Sequence, residues 1–459
     1  MQTRRDFIHH GISSFGALAW AIAYARPLPA SASIQIPHFP PKAKSIIHLY
    51  MEGGPSQVDT FDYKPALEKL AGQPLPIKKP ATVFNSSNII MPSPFQFRKA
   101  GQSGSWVSEL FPNTSEFVDD LTFIHSMHHD VSNHSAACFM SHTGSSIAGR
   151  PSVGSWLSFG CGSENSNLPS HVVLDCGQAP SGGAYAWSNG FLESRHGGVK
   201  FNKGKTPVEF LEKLDPSASI QNSKLNFIQR INDILAEDSD FSTRQSLMAA
   251  RHNYQTADSM QKLIPELTDL SKESVGTRKL YGIDNPTTSD FGERCLMARK
   301  LVEAGVRSIE IFSPKVKADR WDQHSGLKQG HINNSKAVDK PIAALIHDLK
   351  SRGLLDQTIV LWGGEFGRTP TSQGSNGRDH NPFGYTVFLA GGGFKPGHHH
   401  GATDEFGYYA ESDRVHIHDL HATLLHQFGL DHTSLTFRFG GRDYRLTDVE
   451  GSIIHPILT

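Results

Sequence analysis

Cysteine is scarce here and never paired. The four residues Cys138, Cys161, Cys176 and Cys295 include no C-x-x-C, which excludes a zinc knuckle and a thioredoxin-type redox motif. Charge of one sign is missing too: 44 Lys and Arg against 45 Asp and Glu leave no net field to attract nucleic acid. Beyond the N-terminal leader no stretch reaches the ~20 apolar residues that span a bilayer, so the mature chain is expected to lack a transmembrane anchor. No P-loop, dinucleotide-binding fingerprint, G-x-S-x-G elbow or H-E-x-x-H occurs. Nucleotide, serine-hydrolase and zincin chemistry of the usual kinds are thereby set aside. No long Pro/Ser linker or charge block divides the 459 residues, and one large domain with insertions is expected.

The first residues carry Arg4-Arg5, a modestly apolar stretch from Gly11 to Ala25, and a small-x-small cleavage site at Ala30-Ser31-Ala32. Residues 1–32 therefore read as a Tat signal peptide, sending the protein to the periplasm or the extracellular space. Tat substrates usually fold in a reducing cytoplasm, so free buried thiols are expected, a disulfide being the alternative. The remainder, 33–459, reads as a single domain with surface insertions at about 64–104, rich in Pro, Ser and Asn, and about 222–256, a long polar helical stretch.

Strands are expected at Ser45 to Met51, Leu121 to Met127, His171 to Asp175, Ser308 to Phe312, Thr358 to Gly363 and Tyr385 to Ala390. Helical patterns at Ser135 to His142, Phe291 to Ala304, Ser335 to Arg352 and Asp419 to Phe428 alternate with them. Such alternation predicts a doubly wound, mostly parallel sheet.

The densest chemistry follows the strand Thr358 to Gly363: Glu365-Phe366-Gly367-Arg368-Thr369-Pro370, then Arg378-Asp379-His380 after a short loop. Carboxylates at the C-terminal ends of parallel strands are where open α/β sheets place their sites. The first strand ends likewise in Glu52-Gly53-Gly54, leading to Asp59. Trp321-Asp322-Gln323-His324 offers oxygen and nitrogen donors two residues apart, suited to a divalent cation; the plain alternative is an Asp turn with a surface His. Together Asp322, His324, Glu365 and His380 supply enough donors for one or two ions. His134-Ser135, after Asn133, opens a helix whose free N–H groups favour a nucleophile or an anion, although capping alone would explain the polar start. Arg150, Arg368 and Arg378 could meet an oxyanion's charge. His398-His399-His400 reads as an exposed loop in a Gly-rich segment.

The order of these motifs resembles the family of domain of unknown function 1501, exported proteins of the alkaline phosphatase and sulfatase-like superfamily. The likeness runs from the leader through Gly53 to Asp62, Asn133-His134, Gly149-Arg150-Pro151-Ser152, Trp321-Asp322-x-His324, Glu365 to Pro370 and Gly377 to His380, to Gly440-Gly441-Arg442-Asp443-Tyr444. The resemblance implies an alkaline-phosphatase-like three-layer α/β/α sandwich. It implies that Asp322, His324 and His380 hold one metal, while Glu365 and Asp59 or Glu52 hold a second; the ion is zinc, with manganese or calcium as alternatives. The nucleophile is left open between His134, Ser135 and a water activated by the metal, with Arg150 as the oxyanion contact. Phe366 stands where a second-metal His is expected, and the absence of Cys-x-Pro-x-Arg excludes formylglycine chemistry. The expected function is hydrolysis of phosphate or sulfate esters on a small molecule or a polysaccharide. The alternative is a catalytically inactive member that binds an anionic glycan or a partner protein.

Overall fold

The computed structural model describes residues 37–459 except 80–86, 175, 178, 205–206, 210, 212–216, 238 and 317–319. The expected signal peptide and its cleavage site lie outside the described residues, as does Asp175. Nine described strands form one sheet. They are β1 (Ser45–Tyr50), β2 (Leu121–His128), β3 (His171–Leu174), β4 (Val199–Phe201), β5 (Ser308–Phe312), β6 (Thr358–Gly363), β7 (Tyr385–Ala390), β8 (His398–His400) and β9 (Val415–His416). The order is β8-β2-β7-β6-β1-β5-β3-β4, with β9 also paired to β2. Every pairing is parallel except those of β7, which runs antiparallel to β2 and β6.

The helices are α1 (His134–Thr143), α2 (Val153–Cys161), α3 (Ala218–Glu237), α4 (Phe241–Leu267), α5 (Ser289–Glu303), α6 (Leu327–Ser351) and α7 (Ile417–Gln427), with shorter turns between. Alternation along the strands assigns the layers. Ile47 and Leu49 of β1 and Trp362 of β6 join a core with α5 and α6. Ile46 and Leu361 turn the other way, into a core with Trp156 and Leu157 of α2 and Leu420 and Leu424 of α7. Helices thus cover both faces of a mostly parallel sheet, the three-layer sandwich that was expected. Strands buried on both faces read as continuous apolar runs, which is why β6 and β7 were plain in the sequence.

Some elements differ from expectation. The polar stretch is two helices, because Asp240 caps a second one by accepting from the Thr243 N–H. α6 begins at Leu327, eight residues before the predicted Ser335; Lys328, Gln329 and Gly330 hide its first turns. Within the excursion at 64–104, Phe97–Ala100 pairs with Ser105–Ser108 as a hairpin. His398–His400 is no exposed loop: it pairs in parallel with Thr122 to Ile124 at the sheet edge, with His400 buried. All four cysteines are free thiols. Among the described residues no helix is long and apolar enough to cross a membrane.

Candidate metal centre

The parallel strands β1, β5 and β6 end side by side, Tyr50 level with Phe312 and Gly363. The chains leaving those ends carry Glu52, then Asp322 and His324, then Glu365 and Phe366. After β6 the backbone turns into the hairpin Gly367–Gln373 and Gly377–Asn381, whose register sets His380 opposite Arg368. α1 brings His134 as its first residue, with the Asn133 side chain accepting from the Ser135 and Ala136 N–H groups. Gly53 is indispensable to this convergence: at φ +104° a Cβ would stand 2.5 Å from the backbone nitrogen of Asp322.

One ligand atom each from His134, Asp322, His324 and His380 gather within 4.8 Å of one another. Asp322 Oδ1 lies 3.2 Å from His134 Nε2, 2.9 Å from His324 Nε2 and 3.3 Å from His380 Nε2. The last two nitrogens are 2.9 Å apart. Each ring commits its other nitrogen to an acceptor. His134 Nδ1 donates to Glu365 Oε1 at 2.6 Å, His380 Nδ1 to the Ser132 carbonyl at 2.6 Å, and His324 Nδ1 to Gln373 Oε1. With Nδ1 protonated in all three, neutral rings present three Nε2 lone pairs to one carboxylate oxygen, a set that repels unless a cation or a proton joins it. His134 Nε2 is buried yet makes no hydrogen bond of acceptable geometry among the described residues. The separations also match the edge of a donor tetrahedron, about 3.3 Å for bonds of about 2.0 Å to zinc. The residues fit a divalent cation.

Charge supports the same arrangement. Burial raises the Asp322 carboxyl, but the close approach of His134, His324 and His380 and the charge of Arg368 outweigh it and hold the group below the carboxylate range. Arg368, fully buried, donates to Asp322 Oδ1 at 2.6 Å, to the Gly54 carbonyl at 3.1 Å and to the Gly53 carbonyl, fixing the carboxylate in place. Burial pushes His380 down to about 4, keeping it neutral as a ligand must be. Burial pushes His134 down as well, but Asp322 and Glu365 lift it to about 9, so in the metal-free protein a proton takes the cation's place. Asp322 and His324, with 36% and 29% of their side chains exposed, form the open side of the centre.

The other expected residues take different positions. Glu365 is fully buried behind His134 and also accepts from the Gly53 N–H at 2.9 Å. Burial raises it and His134 lowers it, leaving it an anion. Glu52 and Asp59, expected to hold a second ion, are each paired with an arginine instead. Glu52 meets Arg320 and accepts from the Ser181 hydroxyl at 2.7 Å; Asp59 takes Arg378 Nε at 2.7 Å and the Ser56 hydroxyl at 2.5 Å. Phe366 stacks on His380 at 4.5 Å and tilts over His134 at 5.0 Å. The Ser135 hydroxyl donates to the Ser181 carbonyl at 3.0 Å. Arg150 is drawn to the C-terminal segment, 3.4 Å from Asp448 and over the Tyr444 ring, and Arg378 is consumed by Asp59. Sequence reasoning missed Gln373 and the orienting role of Arg368. A loop glutamine carries no signal, whereas an arginine three residues past a site glutamate could have been tested for burial.

A mostly parallel sheet covered by helices on both faces, with metal-ligand-type side chains gathered where the parallel strands end, defines a three-layer α/β/α protein. Within that class, residues 43–458 match the family described as "Protein of unknown function (DUF1501)", and the chain belongs to that family. No curated protein matches its sequence. Among solved structures it is similar to Ps i-CgsB in complex with k-i-k-neocarrahexaose, at 11% identity over 84% of this chain and 72% of that one, with a TM-score of 0.37. The alkaline phosphatase from the Antarctic bacterium TAB5 follows at 11% identity, 77% and 92% coverage and a TM-score of 0.32. The PsFucS1 sulfatase from Pseudoalteromonas sp. is 10% identical over 84% and 68%, also with a TM-score of 0.32.

Proposed function

We propose that the protein is an exported metal-dependent hydrolase of phosphate or sulfate esters, built around one divalent cation, zinc by its donor set, held by His134, Asp322, His324 and His380. The observation that carries this reading is the shared tautomer: three imidazoles with Nδ1 spent on Glu365, Gln373 and Ser132 and Nε2 turned toward one carboxylate oxygen. A zinc ion there supplies Lewis-acid polarisation of a phosphoryl or sulfuryl oxygen. Arg368 orients Asp322, and Glu365 fixes the ring of His134, which acts as a ligand in place of the nucleophile. Ser135, with its proton directed at the Ser181 carbonyl, has no base at its oxygen among the hydrogen bonds it makes. Export rests on the twin-arginine leader.

The second reading is a catalytically inactive protein that binds an anionic glycan or a partner protein. Its supporting observation is that arginines neutralise Glu52 and Asp59, so the two-ion clamp on an in-line displacement is not assembled. A panel of aryl phosphates and aryl sulfates separates the two. Hydrolysis by zinc-loaded protein should disappear with chelator or with Asp322→Ala/His380→Ala, and should survive Ser135→Ala within about tenfold, less than the 10²–10⁴ that a group acting in the chemical step contributes. Zinc-loaded wild type inert on the whole panel, with glycan binding intact in the double variant, would favour the second reading.

A further inference from the structure

The face of the sheet under α1, α2 and α7 carries polar residues where apolar ones are the rule. Alternation puts His48 of β1 and Glu310 of β5 on that face, and the register makes them direct neighbours across the two strands. His142, at the far end of α1, reaches them from the helix layer. It lies eight residues from His134, or about 12 Å along the helix axis, so this group is separate from the centre at the strand ends. His48, His142 and Glu310 each turn a donor atom inward, all within 4.8 Å of one another. Glu310 Oε1 is 3.1 Å from His48 Nδ1 and 3.3 Å from His142 Nε2.

The tautomer of His142 is again settled by its other nitrogen, which donates to the Cys138 carbonyl at 2.8 Å. A neutral His142 therefore points a lone pair at a carboxylate oxygen, and the pair needs a cation or a proton between them. A second, independent feature lies beside it. His48, His142 and Glu310 line an internal cavity of ≈ 40 Å³ together with His171 and His421, enough for an ion with a water. His171 and His421 are 3% and 1% exposed, and the Nδ1 of each is without a hydrogen-bond partner among the described residues. Buried polar atoms are rarely left unmatched, and both of these residues line the cavity.

We infer that His48, His142 and Glu310 form a second, interior site for a transition-metal ion of the zinc class, distinct from the centre at the strand ends. Two imidazole nitrogens and one carboxylate oxygen are the protein ligands, and the cavity supplies room for a fourth, a water. Donor separations of 3.1 and 3.3 Å fit the edge of about 3.3 Å expected around zinc. Two central strands and a helix carry the ligands, so the ion would tie the sheet to its helical layer and enter as the protein folds.

Zinc is counted by elemental analysis in protein folded with zinc present and then freed of loosely held metal. Wild type should hold two equivalents, Asp322→Ala/His380→Ala should keep one, and adding Glu310→Gln and His142→Gln should leave none. A folded Asp322→Ala/His380→Ala protein without zinc overturns the interior site. If only the centre at the strand ends were imaginary, wild type would hold one equivalent and the double variant would keep it, which distinguishes the two failures. Should the interior variant not fold, cobalt replaces zinc in Asp322→Ala/His380→Ala. Visible absorption of a four-coordinate cobalt ion supports the site, and a colourless protein overturns it.

Discussion

His134 is read wrongly if it is taken alone. Its place at the start of a helix suggests a nucleophile, yet its Nδ1 is fixed by Glu365 at 2.6 Å and its Nε2 stands 3.2 Å from Asp322, the posture of a ligand. Glu365, expected as a ligand, stands one residue back and orients the ring. Replacing it with glutamine keeps the shape and an accepting oxygen but removes the charge that raises the basicity of the imidazole. Glu365→Gln should therefore weaken zinc binding about 10–100-fold while the fold persists, as measured by competition with a chelator of known affinity. Unchanged affinity would mean that His134 is not a ligand. Asp322, His324 and His380 stood out as candidates because ligand-type residues followed readable strands. The arginines that neutralise Glu52 and Asp59 were not: Asp59 and Arg378 are 319 positions apart, and only the folded chain brings them within 2.7 Å.

At the scale of elements, the strands were the most legible part. Both faces of β6 and β7 are covered, so every residue is apolar or small and the run has sharp ends. β1 was as clear despite His48, because its other positions are buried on alternating sides. Where local signals and tertiary context disagree, context decided. His398–His400 follows glycines and carries three imidazoles, yet the open edge of β2 offers it a ladder, and the His399 ring lies 5.1 Å from Phe123 and 2.9 Å, nitrogen to nitrogen, from His125. α6 starts early because Gly326, in a left-handed conformation, ends the loop that carries Asp322 and His324. The helix start thus helps to set the site, a link that no periodicity shows.

At the scale of the whole molecule, histidines set the response to acid. His129, His171 and His331 are buried and pushed by that burial to about 4, and His421 to about 3, all below their ordinary 6.5. These groups are neutral in the fold and charge in the unfolded chain, so below pH 6.5 unfolding takes up protons. Their contribution to stability is complete above about pH 6.5 and is lost as the pH falls through 6.5 toward 4, with a slope of up to about 1.4 kcal/mol per pH unit for each group. Denaturant titrations should show the midpoint falling steeply between pH 6.5 and 4, and a flat midpoint across that range would contradict the burial of neutral rings. The central claim is narrower: one cation, held by four side chains at the strand ends. An anomalous difference map at the zinc edge, from crystals of zinc-loaded protein, tests it most directly. The account predicts a single peak at the strand ends, about 2.0–2.2 Å from the Nε2 atoms of His134, His324 and His380 and from Asp322 Oδ1; no peak there, or a pair of peaks with Glu52 or Asp59 released from its arginine as a ligand, would contradict it.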